Sequence, residues 1–348
     1  MELKYPTQPL EYSGMNPLDP PAKVTIIIVN YNSGRLLAKA IGCLAEQTSG
    51  DFQVLVMDNG SADGSDDVSA QYLRNRLALV RLGENLGFAK ANNLAVARCD
   101  SEFVFLLNPD AFPAPDMLEK LLHAALTYTE YDLYAPALLM AHDPDYIDGL
   151  GDEYHITGLV WRNQHGARRG ESLSANREIF SPCAAAVLMR RSLFLDLGGF
   201  DEDFFCYVED VDLGFRAKLA GHKSLLVADA LVYHMGSAIS GKSSDFSVYH
   251  GHRNLVWAFV KNMPGALFWC LLPLHLAINL LSFLWFTARG RGSLILRAKL
   301  DALRGIPAMW RKRGRIQQHR RITLTDLWRA MNTGFPHSVR RAWSSRLR

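Results

Sequence analysis

Apolar runs that stop abruptly in polar clusters recur through the first third of the chain. Val24–Val29, Gln53–Met57, Leu79–Leu82 and Phe103–Leu107 read as strands. Runs so uniformly apolar suit strands covered on both faces, as in a parallel sheet. Between them Leu36, Leu37, Ala40, Ile41 and Leu44 recur at helical spacing, with Ser33 as the N-cap candidate. Ala89–Arg98 and Asp116–Thr127 read as two further helices. This alternation predicts an α/β fold with a parallel sheet and right-handed crossovers. Phe103–Leu107 ends in Asn108-Pro109-Asp110. Proline cannot donate to a strand ladder, so the sheet is expected to stop there and Ala111–Pro115 to form a turn.

The second half has a different texture. Asp143–Ser174 is rich in Gly and Asp, then carries Arg162, His165, Arg168 and Arg169 with no clear period. It reads as a long loop or small subdomain over the sheet edge, where substrate contacts are often placed. Regular structure resumes at Cys183–Arg190. Gly198–Glu202 is a turn, Glu209–Leu219 a helix with Gly221 past its end, and Ser224–Val227 a strand.

In a parallel sheet the strand ends emerge on one edge. Asn30-Tyr31, Asp58-Asn59 and Asn108–Asp110 therefore converge where open α/β sheets bind ligands. A carboxylate at Asp110 can hold a divalent metal, and a metal can hold a diphosphate. The alternative is that Asp110 only caps the following turn. Glu209 and Asp210 open a helix, where acidic side chains are favoured by the helix dipole alone. No G-x-G-x-x-G follows a strand and opens a helix, which argues against a dinucleotide-dependent oxidoreductase.

Composition is that of a globular protein, 49% hydrophobic and 21% charged over 348 residues. The five cysteines are scattered without a C-x-x-C, so neither a disulfide framework nor a zinc site is indicated, and a reducing compartment is expected. The first residues contain no apolar signal-peptide core. The net charge of +3 conceals an asymmetry. Ala288–Arg348 carries 16 Lys+Arg against 2 Asp+Glu, a net of +14, and Met1–Thr287 carries 22 against 33, a net of −11. A basic tail of this kind meets nucleic acid or an anionic membrane. No nucleic-acid module accompanies it, and Ala266–Phe286, just before it, is long enough to span a bilayer. Pro273, His275 and Asn279 interrupt that run, and a single span would place the basic tail against the positive-inside tendency. The segment is expected to dip into or lie on the cytoplasmic leaflet, with the tail on anionic lipid; the alternative is a buried core helix.

Six stretches stand in a telling order: N-Y-N (30–32), D-N-G-S-A-D-G-S (58–65), E-N-L-G-F-A-K-A-N-N (84–93), N-P-D (108–110), G-G-F-D-E (198–202) and Y-V-E-D-V-D-L-G-F-R (207–216). Over roughly Val24–Arg253 the chain resembles the family 2 glycosyltransferases, in particular their rhamnosyltransferase-like branch. The resemblance implies the GT-A fold, in which a nucleotide-binding, mostly parallel sheet is fused to an acceptor-binding half. It also implies transfer of a sugar, with inversion, from a nucleoside-diphosphate donor.

Residue by residue, the resemblance places Asn30 and Tyr31 beside the nucleobase and has Asp58 accept from its ring N–H. Asn85 and Gly87 come near the ribose and diphosphate. Asn108-Pro109-Asp110 occupies the place of the family's Asp-X-Asp, with Asn in place of the first Asp. Asp110 then binds Mg2+ or Mn2+, and His234 matches a histidine that completes the metal site in some members, although a histidine after a strand is also a common structural residue. Asp210 matches the catalytic base, with Glu209 orienting it or binding the acceptor. Arg253 approaches the diphosphate or lies on a solvated helix face. The Gln-X-X-Arg-Trp of processive synthases is missing, which favours addition of a single sugar.

The expected organisation is a lead-in at 1–23, a GT-A domain at 24–260 and a membrane-associating segment with a basic tail at 261–348. Within the domain, the donor half is expected at 24–135 and the acceptor half at 136–260. The expected activity is that of a metal-dependent, cytoplasmic-face transferase moving one sugar, with rhamnose the candidate, to a lipid-linked or surface-glycan acceptor. The alternative is a non-catalytic, membrane-bound glycan-binding or scaffold protein that keeps the fold.

Overall fold

Strand β1 (Tyr12–Gly14) leads into β2 (Val24–Asn30), α1 (Leu36–Ala45), β3 (Phe52–Asp58), β4 (Leu77–Arg81), α2 (Phe88–Val96) and β5 (Phe103–Leu107). The computed structural model describes residues 12–14, 22–67, 73, 76–170, 173–236 and 244–334. Most of the expected lead-in and the end of the basic tail, 335–348, lie outside the described residues. β4, β3, β2 and β5 are parallel neighbours, as their apolar runs predict. The side chains of β2 divide with period two. Val24, Ile26 and Ile28 pack under α1, while Ile27 and Val29 pack under α2. Both faces are therefore apolar, and each buried Ile or Val contributes roughly 1.5–3 kcal/mol. Ser33 does not cap α1; its hydroxyl donates to Asn30 Oδ1.

The chain does not leave the sheet at Pro109. A three-residue strand, β6 (Ala111–Pro113), follows where a turn is expected, then α3 (Met117–Thr127) and β7 (Leu133–Met140). The Gly/Asp-rich stretch holds three strands, β8 (Asp143–Gly149) along β7 and a separate hairpin of β9 (Asp152–Tyr154) and β10 (Val160–Arg162). Next come β11 (Arg177–Ile179), β12 (Ala186–Arg190), α4 (Arg191–Asp196), α5 (Glu209–Leu219) and β13 (Ser224–His234). The full order is β1-β4-β3-β2-β5-β12-β7-β13-β11, with β6 on β13. β12 runs antiparallel between β5 and β7, so the sheet is mixed rather than wholly parallel. The chain enters β12 at the carboxyl end of β5, where Asn108 N–H donates to Ala185 O (2.9 Å), and so must run back down.

The last third is helical: α6 (Asp245–Asn262), α7 (Gly265–Ala288), α8 (Gly292–Gln318) and α9 (Leu324–Ala330). The expected boundary at 260/261 falls inside α6, and most of the basic tail that is described forms one long helix, α8. These helices share a core with the sheet domain. Tyr154, Phe215, Trp257, Phe259, Phe268 and Met309 belong to one cluster, and at Gly305 a Cβ would lie 2.5 Å from the Trp257 ring. Of α7 only Phe268, Leu271 and His275 are buried, so it is not the core helix of the alternative reading. Its polar interruptions face the protein. His275 stacks on Phe259 at 4.0 Å and bonds to Thr157 O (2.7 Å), and Asn279 bonds to His275 O.

A buried ionic knot ties these helices to α5. Asp212, fully buried, accepts from Arg216 Nε (2.8 Å), Lys261 Nζ (2.9 Å) and Asn262 Nδ2 (2.8 Å). Lys261 also reaches Asp201 (2.6 Å), which Lys312 of α8 pairs in turn. Burial by itself would raise both carboxyl pKa values, but Lys261 and its cationic neighbours outweigh it and hold both below the ordinary aspartate range. Lys261→Met is expected to cost roughly 3–5 kcal/mol, the scale of a broken buried pair. Groups with depressed folded pKa values stabilise above their unfolded values, about 3.9, and lose that contribution as pH falls through the folded ones. In melting curves the gap between wild type and variant should therefore be widest near neutrality and narrow in acid.

Candidate active site

At the carboxyl edge of β2, β3 and β5 lies a cavity of about 860 Å³, closed on its far side by the β9–β10 hairpin, the start of α5 and α6. Tyr31, Asn85, Gly87, Asn108, Asp110, Glu209, Asp210 and His234 all line it. Asn30, Asp58 and Arg253 do not. Asn30 is buried behind it, and its amide donates to Asp58 (2.9 Å), Ser61 (3.1 Å) and Ser65 (3.0 Å). Asp58 takes the Ser61 N–H on its other oxygen (3.1 Å), so Asn30 and Ser61 orient it. Asn59, expected at this edge beside Asp58 but given no role of its own, lines the cavity and donates to Asn85 (2.9 Å), whose oxygen also accepts from Gly87 N (3.0 Å).

The β6–β13 pairing builds one wall. It sets His234 opposite Ala111, and Met235 N–H donates to Asp110 O (3.0 Å). Asp110 Oδ1 and His234 Nε2 come within 3.3 Å, yet in direction this is no hydrogen bond, and Nε2 has no aligned partner among the described residues. His234 Nδ1 donates to Asp148 (2.7 Å), which also pairs Arg162. Burial alone would raise the Asp148 pKa; His234 and Arg162 hold it below the carboxylate range. An imidazole whose Nδ1–H is fixed by a carboxylate presents Nε2 as a ligand, a familiar arrangement behind metal sites. Asp110 and His234 thus fit a divalent cation.

A second group, Asp152, Cys183 and Asp210, offers ligand atoms within 4.8 Å of one another. Burial pushes the Cys183 thiol well above its ordinary range, and a neutral thiol is a poor partner for Mg2+ or Mn2+.

The opposite wall carries Glu209 and Asp210. Asp210 is oriented by two backbone donors, Ala184 N to Oδ2 (3.0 Å) and Val211 N to Oδ1 (2.8 Å). No hydrogen bond links Glu209 to Asp210. Glu209 Oε2 is buried without a partner among the described residues, and burial, followed by the charge of Asp210, raises its pKa well above the usual range. Burial and Asp210 do the same to Asp152, another cavity residue not foreseen.

The approach to this pair is strained. Phe205, Tyr207 and Val208 have φ of 65°, 70° and 70°, costly for residues with side chains. Asn254 on α6 holds them by donating to Phe204 O (2.9 Å), Cys206 O (3.0 Å) and Tyr207 O (2.7 Å). Arg253 adds bonds to Asp203 O and Phe204 O and lies over the Trp257 ring, so it braces this loop and does not line the cavity. Gly87 (φ 85°) admits the same loop, since a Cβ there would lie 2.5 Å from the Phe205 ring. Nothing in the helical pattern of α6 marked Asn254; only its neighbour's charge drew notice.

The profile of glycosyl transferase family 2 matches residues 25–198, half of the chain. The chain belongs to that family. An N-acetylglucosaminyl-diphospho-decaprenol L-rhamnosyltransferase of Mycobacterium tuberculosis is 29% identical over 299 residues, covering 79% of this chain and 91% of the relative. A teichuronic acid biosynthesis glycosyltransferase, TuaG of Bacillus subtilis, is 30% identical over 160 residues, 41% of this chain and 64% of the relative. Among solved structures, GalNAc-T7 with UDP, GalNAc and Mn2+ superposes with a TM-score of 0.56 at 13% identity, over 69% of this chain and 48% of that one. S. aureus TarS 1–349 gives 0.50 at 18%, over 85% and 90%. The fold is GT-A and the chain is rhamnosyltransferase-like, with a role in glycosyl transfer.

In this family 2 protein, removing the brace on the strained loop should displace Asp210 more than it disturbs the donor wall. Asn254→Ala is expected to lower kcat by about 100-fold, the scale of an ångström-sized misplacement. The donor KM should move only a few-fold. Steady-state kinetics with donor and acceptor varied separately check this, with melting temperature measured alongside.

Proposed function

We propose that this chain transfers a single sugar, with inversion, from a nucleoside-diphosphate donor to a lipid-linked or surface-glycan acceptor at the cytoplasmic face of a membrane. The observation that carries the reading is the presence in one cavity of Asp110 with the His234 Nε2, which has no aligned partner among the described residues, on one wall and the doubly oriented Asp210 on the other. The scaffold alternative requires none of these three. Rhamnose as the sugar is supported by the mycobacterial relative's name.

Tyr31, Asn59 and Asn85 present a polar floor for the nucleoside, and Asp58, buried and bonded to Asn30, supports that floor and does not line the cavity. Asp210 accepts the proton of the acceptor hydroxyl as its oxygen attacks the anomeric carbon. The bond from that carbon to the phosphate oxygen breaks on the opposite face, which inverts the centre. Asp110 and His234 would hold Mg2+ or Mn2+, with Asn108 beside them where the family has a carboxylate. Bound there, the cation supplies charge that offsets the departing diphosphate. The Mn2+ in the GalNAc-T7 structure is consistent with this.

The helical end would rest on the bilayer. α7 is long and apolar enough to cross a membrane by length and composition. His275 and Asn279 face the protein, however, and Trp269, Leu276, Leu280 and Leu284 are exposed. On α8, Leu296, Leu300, Leu303 and Trp310 form a second exposed stripe beside Arg297, Arg304 and Arg311, and the Trp269 and Trp310 rings lie 6.5 Å apart. An apolar stripe edged by arginine suits an interfacial helix on anionic lipid.

A thermal-shift screen of nucleotide sugars with and without Mn2+ tests the transferase reading, because ligands stabilise by mass action. One donor should raise the melting temperature in a metal-dependent way, and Asp110→Asn should remove that dependence. Asp210→Asn should keep donor stabilisation while kcat falls about 10²–10⁴-fold. Metal-independent stabilisation of the wild type, or normal turnover by Asp210→Asn, would overturn the assignment.

For the membrane surface, the triple variant L276E/L280E/L303E is expected to leave the membrane fraction and stop binding vesicles of anionic phospholipid, with little change in melting temperature. Binding that survives the three substitutions would exclude this face.

A further inference from the structure

A second cavity, of about 440 Å³, opens where the turn between α6 and α7 meets the end of α8. Gly265, Ala266, Trp310, Arg313, Gln317 and Arg320 line it, and among the described residues no acidic one does.

Arg313 is the group that calls for an explanation. Four Lys and Arg residues of the described chain are buried. Arg216 pairs with Asp212, Lys218 with Glu178, and Lys261 with Asp201 and Asp212. Arg313, only 7% exposed, has no carboxylate partner among the described residues. Its Nη1 donates to Val260 O (3.0 Å) and to Met263 O, which holds the end of α6. Its guanidinium carbon lies 4.8 Å from the centre of the Phe268 ring and 5.1 Å from that of Trp310. Nε and Nη2 have no acceptor among the described residues. Burial lowers the pKa of this group, and no neighbouring charge opposes the shift. Buried charges are ordinarily paired, and one left without a counter-charge is costly. A fixed guanidinium with donors to spare beside a cavity therefore suits an anion from outside.

The rest of the lining has the same sign. Arg320 forms no ion pair among the described residues; its Nη1 donates to Ile322 O (2.6 Å). Gly265 and Ala266 open α7, and their N–H groups have no acceptor among the described residues. Such a helix start adds positive potential to that of the two guanidinium groups. Trp310 indicates where the anion comes from. It lines the cavity and belongs to the exposed stripe of α8, 6.5 Å from Trp269 of α7. A lipid whose chains meet that stripe holds its phosphate at the stripe's edge, the depth at which tryptophan is favoured.

We propose that this cavity binds the phosphate group of an anionic phospholipid, with Arg313, Arg320 and the first turn of α7 as its donors. The inference rests on the reading that α7 and α8 lie on the bilayer, and adds a defined headgroup site to it. Diffuse attraction depends on net charge alone, whereas a headgroup site depends on which positions carry the charge.

The test uses the full-length chain, vesicles of phosphatidylcholine with phosphatidylglycerol, and soluble dihexanoyl phosphatidylglycerol. Ala266 is exposed in the first turn of α7, where an acidic residue suits the helix dipole. Ala266→Asp should therefore melt at or above the wild-type temperature, yet bind vesicles about 10- to 100-fold more weakly, the scale of lost charge-assisted hydrogen bonds. Arg320→Gln should lose a comparable factor. Arg304→Gln removes an exposed charge of α8 outside the cavity and should cost only about fivefold, the worth of one cation near an anionic surface. Equal losses in the three variants would show diffuse attraction and overturn the site. The soluble lipid should raise the melting temperature of wild type and not that of Ala266→Asp. Equal stabilisation of wild type by inorganic phosphate at the same concentration would reveal a site for the free anion and overturn the lipid. Failure of the bilayer reading looks different: wild type would then bind no vesicles of any composition, and the site would fall with it.

Discussion

One side-chain amide carries an unusual share of this structure. Asn254 donates to three carbonyls of one loop, those of Phe204, Cys206 and Tyr207, and so stabilises a segment with three side-chain-bearing residues at positive φ. Without that brace the loop would relax toward ordinary φ values, and α5 would begin elsewhere. The positions of Glu209, of Asp210 and of the Phe205 ring against Gly87 all follow from it. The ionic knot at Asp212 does the complementary work one turn later by fastening the same helix to Lys261, Asn262 and, through Asp201, to Lys312. The helical third is thus part of the machinery that aims the acidic pair.

Electrostatics divides the cavity into two halves with different tasks. Along the β6–β13 wall, Asp148 holds both His234, through Nδ1, and Arg162, and the imidazole Nε2 is left near Asp110 with no aligned partner among the described residues. Along the α5 wall, Asp152, Glu209 and Asp210 crowd like charges into a buried space, which raises the pKa values of Asp152 and Glu209. A strip of that kind suits neutral, hydroxyl-bearing ligands and repels anions. The β6–β13 wall suits a cation and its phosphate partners.

The C-terminal helices join this chemistry to a surface. The polar interruptions of α7, which look like flaws in a membrane span, are the residues that dock it: His275 and Asn279 face the body of the protein and bond within it. With those contacts inward, the leucines and tryptophans are left outward, beside the exposed stripe of α8.

Much of this was legible in the residues themselves. The four parallel strands, the helices between them, the convergence of Tyr31, Asn59 and Asp110 on one edge, and the pairing of Glu209 with a helix start all follow from local periodicity and from the geometry of a parallel sheet. The ordered motifs carried the family. What the residues could not reveal depends on contacts between distant segments. Ala111–Pro113 has no local reason to be a strand; it becomes one because β13 passes beside it, and that pairing alone puts His234 next to Asp110. β12 is as apolar as a parallel strand and runs antiparallel only because of the edge from which the chain arrives. Asp148, Asp152 and Arg162 sit in a stretch without periodicity, and Asn254 lies in a helix like any other polar residue. Local pattern determines which segments are buried and of what type. Which polar side chains meet across tens or hundreds of residues is decided by how the elements pack, where a hydrogen bond exists only once both partners have been brought to the same place.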